Sequence, residues 1–220
     1  MIRIAFVIVP VPIVVEMILM LTRTILLSAM ISFGLMQTAG YASDDKWAID
    51  PAHSDAHFSI KHLMISNVQG DFSKITGSAN YDGEHFNKAS VEATIPISEI
   101  YTRESKRDDH LKSPEFFDAA KYPVMTFKSK KIATDDSGNF KLIGDLTLHG
   151  VTKEVVLTGK VPGKPIKDPR GKTRIGAEAT TQINRKDFGI TWQQQLDNGG
   201  VMIGDDVAIT LDIELVKTDG

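Results

Sequence analysis

Apolar and polar residues alternate with period two along most of the chain beyond residue 45, as in strands with one buried face. Ala56, Phe58 and Ile60 alternate with Asp55, His57 and Ser59. Val91, Ala93, Ile95 and Ile97 alternate with Glu92 and Thr94, and Met125 and Phe127 with Thr126 and Lys128. Phe140, Leu142, Leu146 and Leu148 share one parity; Val155, Leu157 and Val161 follow, then Ile175, Ala177, Ala179 and Ile183. The last run is the clearest: Val207, Ile209, Leu211, Ile213 and Leu215 against Ala208, Thr210, Asp212 and Glu214. Asp82-Gly83, Asp136-Ser137-Gly138-Asn139, His149-Gly150 and Asn198-Gly199-Gly200 punctuate these runs as turns. Short turns make antiparallel neighbours. A sheet with one apolar face must cover that face, and closing into a barrel covers it and removes the edges. The pattern predicts an all-β fold, an antiparallel barrel of about eight strands, whose interior is filled by side chains or holds one small ligand. Small residues at inward parity, Ala93, Gly144, Gly159, Ala177 and Ala179, leave room for a cavity but also allow tight packing.

One segment breaks the alternation. Ser113 is a suitable N-cap, Pro114 suits the first helical position and Glu115 complements the helix dipole. A short helix is expected at about 114–121, ended by Tyr122-Pro123 and lying outside or across one barrel end. Gly163 to Lys172, with two Pro and two Gly, reads as a loop within one domain. Phe116 and Phe117 do not both fit inward on this reading, and a homodimer is expected.

Composition divides the chain in two. Residues 1–42 hold only three charges, Arg3, Glu16 and Arg23, while the rest is mildly acidic. Ile25 to Met36 is an apolar run behind Arg23, and Gly40 and Ala42 are the small residues that a signal peptidase reads. The expectation is a signal peptide over 1–42, with mature protein from Ser43 and no stable membrane anchor after cleavage. Ile4 to Val15 is a second apolar run, so Met17 or Met20 is a candidate start. Each run is about twelve residues, short of the ~20 that a membrane span needs. The complete absence of cysteine suits export to a periplasm and excludes thiolate metal sites and cysteine nucleophiles.

Catalytic motifs are tested and set aside. Gly171-Lys172-Thr173 has Ile166 where a phosphate loop needs its first glycine. His53 and Ser54 are adjacent, so on a strand they face opposite ways. The six histidines read as surface or hydrogen-bonded groups, with no metal and no catalytic residue assigned. No basic, aromatic platform for nucleic acid is present. Arg107 to Ser113 and Asn184 to Gly189 are dense in polar groups, either fastening loops or lining a rim.

Several motifs carry a family resemblance. Trp47 to Ser54, Phe58 to His62, Gly70-Asp71-Phe72, Arg107-Asp108 with His110 to Ser113, Phe116-Phe117-Asp118, Thr126 to Ser129, Gly144 to Lys153 and Ile183-Asn184-Arg185 with Asp187 to Ile190 occur in order over about residues 45–217. In these the chain resembles the YceI-like family of polyisoprenoid-binding, lipocalin-like periplasmic proteins. The resemblance implies an extended antiparallel barrel holding a long isoprenoid chain, such as a quinone tail or polyprenyl phosphate, and no catalytic residues.

The combined expectation is a periplasmic, non-enzymatic carrier or store for an isoprenoid lipid, with no other cofactor. The alternatives are an enzyme or enzyme accessory acting on the bound lipid, and a filled barrel acting through a partner surface. Expected ligand contacts are Phe58, Phe72, Met125, Phe127, Leu146, Leu148, Ile183, Leu211 and Ile213. Expected rim or head-group residues are His53, Arg107, His110, Arg185 and Trp192.

Overall fold

The computed structural model describes residues 46–197 and 199–218. The expected signal peptide, the cleavage after Ala42, the alternative starts and Asn198 of the last turn signal lie outside the described residues. No helix among the described residues is long and apolar enough to cross a membrane.

The strands are β1 (Lys46–Ile49), β2 (Asp55–His62), β3 (Ser66–Phe72), β4 (Thr76–Asn80), β5 (Ser90–Pro96), β6 (Ile100–Tyr101), β7 (Val124–Thr134), β8 (Asn139–Leu148), β9 (Val151–Lys160), β10 (Ile166–Lys167), β11 (Thr173–Asn184) and β12 (Ile203–Lys217). One α-helix, α1 (Ser105–Lys112), lies between β6 and β7, and 3-10 turns occupy Phe86–Lys88, Ile97–Glu99 and Arg185–Phe188.

Every pairing is antiparallel, and the ring β12-β11-β9-β8-β7-β5-β4-β1 closes on itself as a barrel of eight strands. The extra segments arise because three strands are broken. β12 pairs with β2 along Ile203–Asp212 and with β1 at Leu215–Lys217, so β1 and β2 form one strand interrupted at residues 50–54. β3 and β4 continue one another, as do β5 and β6 across the turn at Ile97–Glu99. β10 is a two-residue addition hydrogen-bonded to β11 inside the expected loop.

The alternation seen in the sequence is the inside and outside of this barrel. Along β12 the inward residues Val207, Ile209, Leu211, Ile213 and Leu215 alternate with exposed Ala208, Thr210 and Asp212. A bulge between Ser129 and Lys131 switches parity within β7, so Met125 and Phe127 point inward in its first half and Ile132 in its second. The β8–β9 hairpin turns at His149 and Gly150, with φ of 52° and 73°. Two left-handed residues make the tight turn whose twist matches the strands, and glycine adopts it without strain. Tyr122 packs on this turn, its ring 4.8 Å from that of His149.

The helix is not where the sequence placed it. Residues 114–121 form nested turns, and α1 comes one segment earlier, with Ser113 as its C-cap. Glu104 is the N-cap, its side chain accepting from the Lys106 amide. The amides of Phe117 and Ala119 bond back to Leu111 and Lys112, and Asp118 has a φ of 47°, which a helix cannot continue through. This folding carries both Phe116 and Phe117 onto the interior wall, so the ring-based reason for expecting a dimer does not hold.

Candidate functional site

The barrel interior holds a cavity of about 480 Å³, walled almost wholly by apolar side chains. Its presence explains an oddity in the strands. Inward residues of β12 are only half-buried, although they face away from bulk water. They border empty space as well as packed neighbours.

Aromatic groups cluster at both ends of the cavity. At one end, Phe86 on its 3-10 turn makes edge contacts with Tyr81 and Phe140, at ring separations of 5.8 and 5.2 Å. Trp47 is fully buried beside them and donates its indole N–H to the Tyr81 carbonyl at 2.9 Å. At the other end, Phe116, Trp192 and His110 pack within 4.9–5.5 Å of one another, with Leu111 of α1 beside them.

Two polar networks hold this second end in place. Asp108 accepts from the Thr102 amide at 2.8 Å and from its hydroxyl, while Arg107 donates through Nε to Thr102 Oγ1 and through Nη2 to its carbonyl. Arg185 is 4% exposed and donates to the carbonyls of Gly204, Ile190 and Trp192 and to Asp205. Its burial pulls the guanidinium pKa down, opposed by Asp205. Of the two readings the sequence left open for these segments, both arginines fasten loops, although both also border the cavity.

A further network lies outside the cavity. Arg174 bonds Asp168, Asp50 and Glu214, tying the β10–β11 turn to the β1–β2 break and to β12. The guanidinium holds the Asp50 carboxyl down at about 2, helped by the Ala52 amide and His53. On β2, His57 bridges Asp55 and Asp71, and its pKa is raised, chiefly by the Asp71 hydrogen bond. His53, His85 and His110 likewise each meet a carboxylate.

The nine expected ligand contacts, Phe58, Phe72, Met125, Phe127, Leu146, Leu148, Ile183, Leu211 and Ile213, all lie on the cavity wall. So do Arg107, His110, Arg185 and Trp192. His53 is apart from them, exposed in the β1–β2 break beside Asp50. Sequence reasoning missed Tyr81, Phe86, His62 and Met202 on the wall. Tyr81 and Phe86 flank Asp82-Gly83, and an aromatic on each side of a turn was the available signal. Gly144 and Gly159 do not create empty space as expected. A Cβ on Gly144 would lie 2.4 Å from Phe127 Cζ, and one on Gly159 2.8 Å from Phe140 Cε1, so aromatic rings of the neighbouring strand occupy both places.

A family model described as the YceI-like domain matches residues 47–215. A UPF0312 protein of Staphylococcus aureus is 37% identical over 161 residues, 73% of this chain and 91% of that protein. Among solved structures, a Campylobacter jejuni YceI protein is 33% identical with a TM-score of 0.61, covering 73% of this chain and 91% of that one. BcnA of Burkholderia cenocepacia superposes with a TM-score of 0.65 at 21% identity, over 76% of this chain and 98% of that one. A Saccharophagus degradans domain described as polyisoprenoid-binding gives 0.57 at 15% identity, over 78% and 98%.

Proposed function

The chain belongs to the YceI-like family, and we propose that it is a non-enzymatic binding protein that carries or stores an isoprenoid lipid inside its barrel. The observation that carries this reading is the apolar cavity of about 480 Å³ in the barrel interior, within the usual range of roughly 300–1,000 Å³ for small-molecule sites. Each buried CH₂ of a ligand contributes about 0.8 kcal/mol, so a long chain binds firmly with few polar contacts. The description of the Saccharophagus domain as polyisoprenoid-binding points the same way. The apolar leader and the absence of cysteine support a periplasmic site of action.

The head group sits at the end bordered by His62, Arg107, His110 and Trp192. Arg185 directs N–H groups of all three of its nitrogens to protein acceptors, and Arg107 those of Nε and Nη2. That favours a neutral, quinone-type head over a polyprenyl phosphate, which would need unpaired cationic donors.

Leu146 faces the cavity and Thr147 the outside, where it bonds Thr152 at 2.8 Å. Leu146→Asp places a carboxylate against hydrocarbon, at a cost of several kcal/mol or with the group held protonated. It is expected to lose most copurified lipid in solvent extracts, while Thr147→Asp keeps it. Thermal melts of both separate lost binding from unfolding. A folded Leu146→Asp protein with a full lipid complement refutes the assignment.

A further inference from the structure

The barrel is not sealed evenly around its circumference. β11 and β12 share eleven residue pairs and β8 and β9 share ten, but β9 and β11 share only two, Ala179↔Gly159 and Thr180↔Thr158. At that short ladder the strands are held tightly. The Thr158 and Thr180 hydroxyls bond across it, and a Cβ on Gly159 would lie 2.3 Å from the Glu178 carbonyl. Beyond Thr158 the strands part. Among the described residues, β9 from Val151 to Leu157 is paired with β8 but not with β11. That stretch spans roughly 20 Å at the usual rise per residue. The slot is bounded at its far end by buried Phe188, whose carbonyl accepts from His149 Nδ1 at 3.1 Å.

An external groove runs along this slot, and three of its residues, Val155, Thr181 and Ile183, also wall the inner cavity. These three side chains border both spaces, and no β9–β11 ladder pairs occur beside them. Both barrel ends, in contrast, carry packed aromatic clusters, one of them fastened by the Arg107 and Arg185 networks. Val156 is 43% exposed on the outer side, and exposed Lys153 and Glu154 precede it on β9, charges that keep an open edge from pairing with another chain.

We propose that the β9–β11 slot is the portal through which the hydrocarbon chain of a lipid slides sideways into and out of the cavity. The proposal rests on the lipid-binding reading above. A flexible chain needs a gap about one strand spacing wide, roughly 4.8 Å. At this seam no ladder stands in the way, and the side chains to be moved are Val155, Thr181 and Ile183, whose rotamer changes are fast. At the long β11–β12, β8–β9 and β7–β8 seams a ladder must break.

The chain has no cysteine, which allows a clean test. Continuing the register places Gln182 opposite Val156, both exposed on the outer face. In a Val156→Cys, Gln182→Cys variant, a short bis-maleimide bridges the slot. Loading of a benzoquinone carrying two isoprene units is followed by stopped-flow quenching of tryptophan fluorescence, since Trp192 borders the cavity. Bridging is expected to slow loading by about tenfold or more, the behaviour of a gated site. Protein loaded first and bridged afterwards is expected to retain its quinone, which shows that the cavity is intact. A Glu178→Cys, Asp212→Cys variant, bridged across a pair already in register on β11 and β12, is expected to load at the native rate. Native-rate loading through the bridged slot overturns the portal. Absence of quenching at equilibrium in the unbridged protein overturns the binding reading itself, and the portal with it.

Discussion

Arg174 shows how much one side chain does for this barrel. Its guanidinium joins carboxylates from three places far apart in sequence, Asp50, Asp168 and Glu214, and its own pKa is raised by them. Two members have a pH signature: Asp50 is held at about 2 against an ordinary value of 3.8, and Asp168 is also lowered, chiefly by its Arg174 hydrogen bond. A carboxyl whose folded value is depressed adds stability above its unfolded value and loses it as pH falls through the folded one. Arg174→Leu is therefore expected to lower the urea midpoint at pH 7 with little change in slope. The gap between variant and native protein is expected to narrow from about pH 4 downward and to close near pH 2. A gap independent of pH over that interval would mean that Arg174 acts through packing alone. Sequence order could not show this cluster, because Asp50 and Arg174 are 124 residues apart.

At the scale of elements, parity was legible and its interruptions were not. Inward positions on β2, β5, β8, β11 and β12 follow from alternation alone, since a strand with one buried face has no other arrangement. The strand breaks at residues 50–54 and at Ile97–Glu99, and the bulge after Ser129, depend on how the barrel bends, which no local pattern states. The helix was misplaced for a related reason. Ser113-Pro114-Glu115 carries real helix-start signals, but Asp118 turns left-handed two residues after Phe116. α1 itself, Ser-Lys-Arg-Asp-Asp-His-Leu-Lys, has no apolar period to reveal it. Close strand contacts give a prediction at this scale. The Phe127 ring lies over Gly144, where a Cβ would also fall 2.6 Å from the Lys128 carbonyl. Gly144→Ala is expected to cost about 1–3 kcal/mol, the usual range for overpacking. Gly176→Ala, on exposed β11 with nothing within 4 Å of the new methyl, is expected to be neutral or to gain up to about 1 kcal/mol. Urea unfolding of both variants measures the difference, and equal stabilities would contradict the packing described.

For the whole molecule, eight strands and closure were legible, and the contents of the barrel were not. Filled and hollow barrels write the same alternation, because an inward leucine is apolar whether it meets another side chain or a ligand. Gly144 and Gly159 illustrate the ambiguity, since their space is taken by rings while Ala93, Ala177 and Ala179 border the cavity. The central claim is that the cavity holds a lipid, and it is tested most directly by native mass spectrometry of the purified chain before and after solvent extraction. The expected spectrum carries the chain plus one apolar molecule. Extraction removes that added mass, and the extract contains a prenylated, neutral-headed compound. A spectrum showing only the bare chain before extraction, from cells that make such lipids, would contradict the claim.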